Sequence, residues 1–316
     1  GNVIDPAEVI KKYGAEVLRL WVAHEDYGDD VTVSNDMFQR VSETYRRIRN
    51  TMRFLLGNLH DFDPAKDAVP FAKMPPLDRW ALCHLNNTIA QVTEAYDKYD
   101  FFKVYHALNV FFTVDLSAFY LDILKDRLYT GKQDGLKRRS SQTVLFELIT
   151  NLTRMLAPIL SFLSEETYQY VPGAKKESIF LEKFPTANKE WVDAELDEIF
   201  KTLFEIKSEA AGHLEELRRN KVIGSSLDAE VSIPMKKEWT KVLSSPLIGK
   251  TEPERIVFLK EILITSGVTI DPSPTGSIVA QKARGEKCIR CWHYSENLTS
   301  SAAHPNVCPK CVEALT

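Results

Sequence analysis

No run of eighteen apolar residues occurs in the 316-residue chain, so no segment reads as a membrane span. The first residues lack the charged-then-apolar pattern of a secretory signal. An initiator methionine is missing too, and Gly1-Asn2-Val3-Ile4 reads as the interior of a longer polypeptide. Positive charge is not in excess: 40 basic against 44 acidic residues leave a net charge of −4. That excludes a uniformly basic nucleic-acid binder and confines any RNA contact to local basic patches. A phosphate-cradling glycine loop, a dinucleotide-type glycine pattern and a plausible nucleophile–base set are all absent, so no residue is a catalytic or organic-cofactor candidate. Internal repeats and low-complexity tracts are absent as well. Cysteine is scarce, with five in all, but its distribution is uneven: four of the five fall between positions 288 and 311.

Those four form two Cys-x-x-Cys pairs, Cys288/Cys291 and Cys308/Cys311, at zinc-ribbon spacing. Each turn aims two thiolates at one point, and together they supply the four corners of a tetrahedron at roughly 2.3 Å from a Zn²⁺ ion. One zinc held without an open position would be structural. Two disulfides would need an extracellular setting, and a redox pair is the remaining alternative. His293 and His304 lie inside the same segment; four cysteines are the preferred set because they need no irregular spacing. With four thiols committed to a metal, the usage points to a reducing cytoplasm. Cys83, in the apolar stretch Trp80-Ala81-Leu82, reads as a core residue.

The chain is 44% hydrophobic, enough for a sizeable core in two or three domains. Asp5-Pro6-Ala7-Glu8 opens a helix that should run to about Tyr27-Gly28, followed by an extended connector at Thr32-Val33-Ser34. Ser34 caps a second helix to about Leu56, with Phe38, Val41, Tyr45, Ile48, Met52 and Leu55 as its inward stripe. After a loop over 57–76 come helices over 77–98 and 101–129, a basic loop over 132–139, and a helix over 142–170 that Pro158 should kink or break. The period then changes. Ile179-Phe180-Leu181 suggests a short strand, 196–220 an amphipathic helix, and 229–233 and 265–270 strands. The expectation is a mainly α protein: an antiparallel helical bundle followed by a small α+β module and a terminal zinc knuckle. The segments are a connector helix over 1–34, the bundle over 35–173, the α+β module over 174–280 and the knuckle over 281–316.

Basic residues cluster in three places. Arg40, Arg46, Arg47, Arg49 and Arg53 lie off the core stripe of the second helix and form either a solvated face or a phosphate-binding one. Arg218, Arg219 and Lys221 end the amphipathic helix. Beside the cysteines, Arg290 and Trp292 belong to a segment too short to bury a tryptophan in a core of its own. They pack on a neighbouring domain or form a surface for unstacked RNA bases.

Several blocks resemble one family. Gly1-Asn2-Val3-Ile4-Asp5-Pro6 is similar to the segment after the Lys-Met-Ser-Lys-Ser loop of bacterial-type isoleucyl-tRNA synthetases. Arg46 to Leu59 resembles that family's first anticodon-domain helix, Lys125 to Tyr129 and Ala157 to Glu166 resemble two further blocks, and Arg218 to Ala229 the start of its C-terminal module. Cys288-Ile-Arg-Cys291-Trp292 with Cys308 and Cys311 resembles its terminal zinc knuckle, which favours isoleucyl over valyl and leucyl relatives. The resemblance implies the C-terminal part of a cytoplasmic, monomeric class I synthetase. Its partner would be tRNA-Ile, recognised through the anticodon stem and loop. ATP-dependent attachment of isoleucine and editing would lie elsewhere in the parent enzyme, leaving this stretch inactive by itself. The implied tRNA contacts are Arg40, Arg46, Arg49, Arg53, Arg218, Arg219, Lys221, Lys282, Arg284, Arg290 and Trp292. Asp126-Arg127 is expected to form an internal salt bridge.

Overall fold

A computed structural model describes residues 4–28, 31, 33–299 and 303–316. Gly1 to Val3 of the N-terminal block and Thr32 of the expected connector lie outside the described residues. The chain forms two compact units. Unit 1 comprises Gly1–Asp122 and Arg139–Val192, and unit 2 comprises Ile123–Arg138 and Asp193–Thr316.

Unit 1 is helical. The Asp5 carboxylate accepts from the Ala7 amide at 2.8 Å and starts α1 (Pro6–Tyr13). The expected single helix is split: Gly14, at φ +91°, separates α1 from α2 (Ala15–His24), because that backbone conformation cannot continue a right-handed helix. Ser34 caps α3 (Asn35–Gly57) by accepting from the Met37 amide. Its stripe of Phe38, Val41, Ile48, Met52 and Leu55 is buried. The short α4 (Pro64–Asp67) sits in the connection to α5 (Pro76–Asp97). Next, α6 (Phe101–Val110), a π-helical stretch (Phe111–Tyr120) and α7 (Leu121–Thr130) follow one another without a break. In the π stretch Ser117 Oγ donates to the Phe112 carbonyl at 2.7 Å, five residues back. By length and mean hydropathy (1.5) the run Phe101–Thr130 would also suffice to cross a membrane, but half of its most apolar window is buried, as in a core helix.

The expected basic loop over 132–139 is shorter than the sequence suggests. Lys137, Arg138 and Arg139 already belong to the first turn of α8 (Leu136–Leu156). Pro158 does break the following helix: α9 runs Ser161–Tyr170 after a turn. Two side chains of α2 clamp this break. Arg19 donates to the carbonyls of Ile159 (2.7 Å) and Pro158 (2.8 Å). Glu16 accepts from the amides of Phe162 (3.1 Å) and Leu163 (3.4 Å), capping α9 where the chain offers no side-chain cap of its own. Asp78 is fully buried and accepts from Tyr120 Oη (2.7 Å) and Ser140 Oγ (2.6 Å). Ile179–Leu181 is a 3-10 turn instead of the expected strand; Ser178 caps it from its own side chain.

In unit 2, α10 (Ala194–Arg219) starts at the Asp193 cap. β1 (Ala229–Pro234) pairs in parallel with β2 (Gly267–Asp271) and antiparallel with β3 (Val279–Lys282), giving the sheet order β2-β1-β3. The crossover from β1 to β2 contains α11 (Thr240–Leu243) and α12 (Glu252–Leu263), the latter opened by a Thr251/Glu254 capping box. Along β1 the residues Ala229, Val231 and Ile233 are buried, the alternation expected of a sheet with one covered face.

The Glu16 cap generates a prediction for unit 1. E16A leaves two helix-terminal amides without their acceptor and should lower stability by about 1–2 kcal/mol. Urea unfolding followed by far-UV circular dichroism measures this, with the metal content of unit 2 unchanged.

Candidate metal centre and nucleic-acid interface

A two-stranded hairpin, β4 (Glu286–Lys287) with β5 (Tyr294–Ser295), carries the first cysteine pair. Cys288 directly follows β4, and Cys291 sits in the turn. The second pair lies at the start of α13 (Pro309–Leu315): Cys308 is its N-cap and Cys311 is in its first turn. All four are buried and free, which excludes the disulfide alternative in this fold. Their sulfurs lie within 4.8 Å of one another, with Cys288–Cys311 at 3.8 Å and Cys291–Cys308 at 3.6 Å. A disulfide needs about 2.05 Å. A tetrahedron with Zn–S bonds of about 2.3 Å has edges of about 3.8 Å. The donor set therefore fits one structural Zn²⁺, which when bound supplies the cross-link between hairpin and helix. The Cys308 amide donates to Cys288 Sγ at 3.3 Å. Burial pushes the Cys288 thiol up, but the amides of Cys291, Cys308 and Arg290 outweigh it and bring it down to about 6, whereas burial and the neighbouring sulfurs push the Cys291 and Cys311 thiols up, so that binding a metal displaces protons from them. His293 is not a ligand here: its Nδ1 lies 3.2 Å from its own Cys291 carbonyl oxygen, and the metal-competent cluster contains cysteines alone among the described residues. Val307 completes the small core, with Leu298 and Val312 against it. Cys83 is buried in α5, apart from this cluster.

Polar ties hold the finger within unit 2. Arg290 Nη1 donates to the Thr130 carbonyl at the end of α7, and Lys310 pairs with Asp126. The Tyr294 amide donates to Ser266 Oγ at 2.6 Å. Arg127 and Lys137 both pair with Glu261 on α12. Asp126 and Arg127 are thus both ion-paired, but with Lys310 and Glu261. Burial pushes the Glu261 carboxyl up, yet the charges of Arg127 and Lys137 win and hold it at about 2. Nothing in the local sequence pattern marks Glu261 or Lys310, because their partners lie more than a hundred residues away.

The sequence-derived contact residues fall into three settings. Arg40, Arg46, Arg47, Arg49 and Arg53 are all exposed, and none is ion-paired among the described residues. At about 100° per residue, Arg46, Arg49 and Arg53 share an arc of roughly 60°, while Arg40 and Arg47 lie on the other flank of the buried stripe. In unit 2, Arg218, Arg219 and Lys221 are exposed at the end of α10, with Arg218 paired to Glu215. Lys282 is exposed opposite Ala229 in the β1–β3 register, and Arg284 reaches Glu230 at 3.3 Å. Because Lys287 pairs with Asp228 at 3.2 Å and Arg218 lies 3.5 Å from Ser226, both patches gather at the loop that enters β1. At the finger tip the two candidates diverge. Arg290 turns inward to Thr130, whereas Trp292 stays 60% exposed beside Ile289 at 63%. Trp292 also holds a left-handed backbone (φ +65°), a conformation that costs a side-chain-bearing residue about 1 kcal/mol.

Two outcomes are expected. Purified protein carries about one zinc, and C308S, leaving three thiolates, should lose it and loosen unit 2 while unit 1 still unfolds cooperatively; metal analysis and two-probe denaturation check this. Glu261, held below its ordinary 4.5 at about 2, contributes stability that is present above pH 4.5 and lost as the pH falls toward 2. The displacement corresponds to roughly 3 kcal/mol. E261Q should therefore be less stable than wild type by up to that amount at pH 7, and the gap should close in acid. Denaturant midpoints across pH measure the convergence.

Comparison with known proteins gives matches along the chain. Residues 78–233 match the anticodon-binding domain of tRNA ligase, residues 285–314 the zinc finger found in FPG and IleRS, and residues 1–34 the class I tRNA synthetases (I, L, M and V). The isoleucine–tRNA ligases of Syntrophotalea carbinolica and Geobacter sulfurreducens are each 44% identical over 318 and 319 residues, covering 100% of this chain and 34% of each relative. That of Thermotoga maritima is 43% identical over 323 residues, with the same coverage of 100% and 34%. Among solved structures, the Agrobacterium radiobacter K84 agnB2 LeuRS–tRNA–LeuAMS ternary complex is similar over 62% of this chain and 22% of the other, at 20% identity and a TM-score of 0.46. The chain spans about a third of the length of the curated relatives it matches. With sequence identity along its whole length, a matched anticodon-binding domain and a four-cysteine finger of the matching kind, the chain belongs to the isoleucine–tRNA ligase family.

Proposed function

We propose that this part of the ligase recognises the anticodon stem and loop of its transfer RNA, tRNA-Ile. The match of residues 78–233 to an anticodon-binding domain supports RNA as the ligand. The observation that carries the reading is Trp292, a large aromatic ring exposed on the turn that carries two of the four zinc-competent cysteines. A base leaving its stack gains about 1–3 kcal/mol on such a ring. Arg46, Arg49 and Arg53 would follow the phosphate backbone, with Arg40 on the opposite flank of α3. Arg218, Arg219, Lys221, Lys282 and Arg284 would form a second phosphate-contacting patch in unit 2. Arg290 would act through the finger, holding its turn against α7, instead of touching a base. The ATP-dependent attachment of isoleucine belongs to the whole ligase, working as a cytoplasmic monomer, and is assigned to residues outside this stretch.

The test is binding of a tRNA-Ile anticodon stem-loop, compared with a stem-loop of another anticodon, across salt concentrations. W292A and W292G should both weaken cognate binding by about ten- to a hundredfold. W292G should nevertheless be the more stable of the two, because glycine accepts the left-handed backbone. R46Q/R49Q/R53Q should reduce the slope of log affinity against log salt by about two to three. Unchanged affinity in the tryptophan variants, or retention of a protein partner with no RNA selectivity, would favour a protein-binding helical adaptor instead.

A further inference from the structure

Unit 2 contains a cavity of about 590 Å³ whose walls come from the end of α7, the start of α8, α12 and the zinc finger. That volume is ordinary for a small-ligand site. Its lining has six cationic side chains against three carboxylates. Most are committed. Arg127 and Lys137 pair with Glu261, Lys310 pairs with Asp126, and Arg138 donates to the carbonyls of Leu128 and Gln133. Two cations remain: Lys132 and Lys260 have neither an ion pair nor a side-chain hydrogen bond among the described residues. Lys260 is half-buried and Lys132 is exposed, and both line the cavity wall. An anion in the cavity would give both ammonium groups a hydrogen-bonding partner. The rest of the lining suits a flat ring: His293 and Tyr294 contribute aromatic surface, Val257 and Pro309 apolar surface.

We propose that this cavity receives one nucleotide, its base against His293 and Tyr294 and its phosphate on Lys260 and Lys132. The proposal rests on the tRNA reading above and adds to it a second base site, separate from the exposed Trp292. An inorganic anion alone would leave the aromatic wall unused, and an apolar ligand would leave the two cations desolvated. The nucleotide is either one unstacked residue of a bound RNA or a free nucleoside monophosphate, and the chemistry that recognises it is the same.

The experiment measures lysine acylation by mass spectrometry, in the full chain with zinc bound, alone and with the tRNA-Ile anticodon stem-loop, AMP or UMP. Binding of the stem-loop to wild type, K260Q and K201Q is measured in parallel. K201Q removes the same charge from an exposed site on α10 that does not line the cavity. The stem-loop should protect Lys260. K260Q should bind it about five- to tenfold more weakly, with a salt slope smaller by about 0.7, while K201Q matches wild type. Protection by AMP or UMP as complete as by the stem-loop supports the same pocket with a free nucleotide as its source. If the stem-loop binds wild type with the expected salt dependence, yet Lys260 is acylated at an unchanged rate and K260Q binds normally, the cavity proposal is overturned and the tRNA reading stands. Absence of any stem-loop binding by wild type removes both. Should K260Q lose zinc, the acylation result on wild type decides.

Discussion

One largely buried carboxylate, Glu261, constrains the arrangement of unit 2. It sits on α12 and pairs with Arg127 near the end of α7 and Lys137 at the start of α8, more than a hundred residues away in sequence. Taking a carboxylate and a guanidinium out of water costs several kcal/mol per ion, so a single pair gains little net stability; removing one partner from a set already buried is what costs most. Here the second cation, still half in solvent, raises the attraction without adding an equal desolvation cost. The result fixes position as well as contributing stability. It explains why residues 123–138 cluster with the C-terminal residues of the chain and not with the neighbours that precede and follow them. Once α7 and α8 are registered against α12 in this way, the Thr130 carbonyl and Asp126 are in place to receive Arg290 and Lys310 from the finger.

The finger needs such anchoring because it has little else. Its own core is the four cysteines and Val307, with Leu298 and Val312 against them. A segment of that size cannot bury enough apolar surface to fold alone, and metal ligation substitutes for the missing core. A different solution serves unit 1, where apolar burial is ample and the difficulty lies in a broken helix. Pro158 removes a donor from the α8–α9 run, leaving carbonyls unsatisfied on one side and amides on the other. Glu16 and Arg19, one turn apart on α2, meet these two needs with opposite charges. Burial raises the Glu16 carboxyl, while the two amides and Arg19 favour its charged form.

Local signals foretold the elements they act on. Asp5 and Ser34 cap the helices they were expected to cap, Pro158 interrupts its helix, and two Cys-x-x-Cys turns converge their sulfurs. Failures occurred where a backbone or long-range effect overrides local pattern. Gly14 lies in an otherwise helical period, and its positive φ became visible only with coordinates. Ile179-Phe180-Leu181 has strand composition, yet it has no partner strand among the described residues, and the Ser178 side chain accepts from the Phe180 amide in a tighter turn. The basic stretch 132–139 reads as loop because charge hides helical period, and its ion-pair partners Asp61, Asp67 and Glu261 are distant in sequence. No single-sequence pattern pairs residues so far apart.

Sorting the cations by commitment separates structure from recognition more sharply than counting them does. Arg19, Arg127, Arg138, Arg139 and Arg290 are arginines whose guanidinium groups meet carboxylates or carbonyls of their own unit, the planar fork being well suited to two acceptors at once. The five arginines of α3 have no such acceptor among the described residues, although the protein as a whole is acidic. A net-negative chain offers many carboxylates that would neutralise an arginine at random, so five exposed and unpaired guanidinium groups on one helix amount to a concentrated positive field. The same division operates at the finger tip over only three residues: Arg290 is spent on the fold and Trp292 is left in solvent, in a backbone conformation that glycine would adopt at lower cost. Folding alone gives no reason for a bulky ring at a position that favours no side chain. A ligand with flat, stackable faces and a negatively charged backbone accounts for the ring and for the unpaired arginines together.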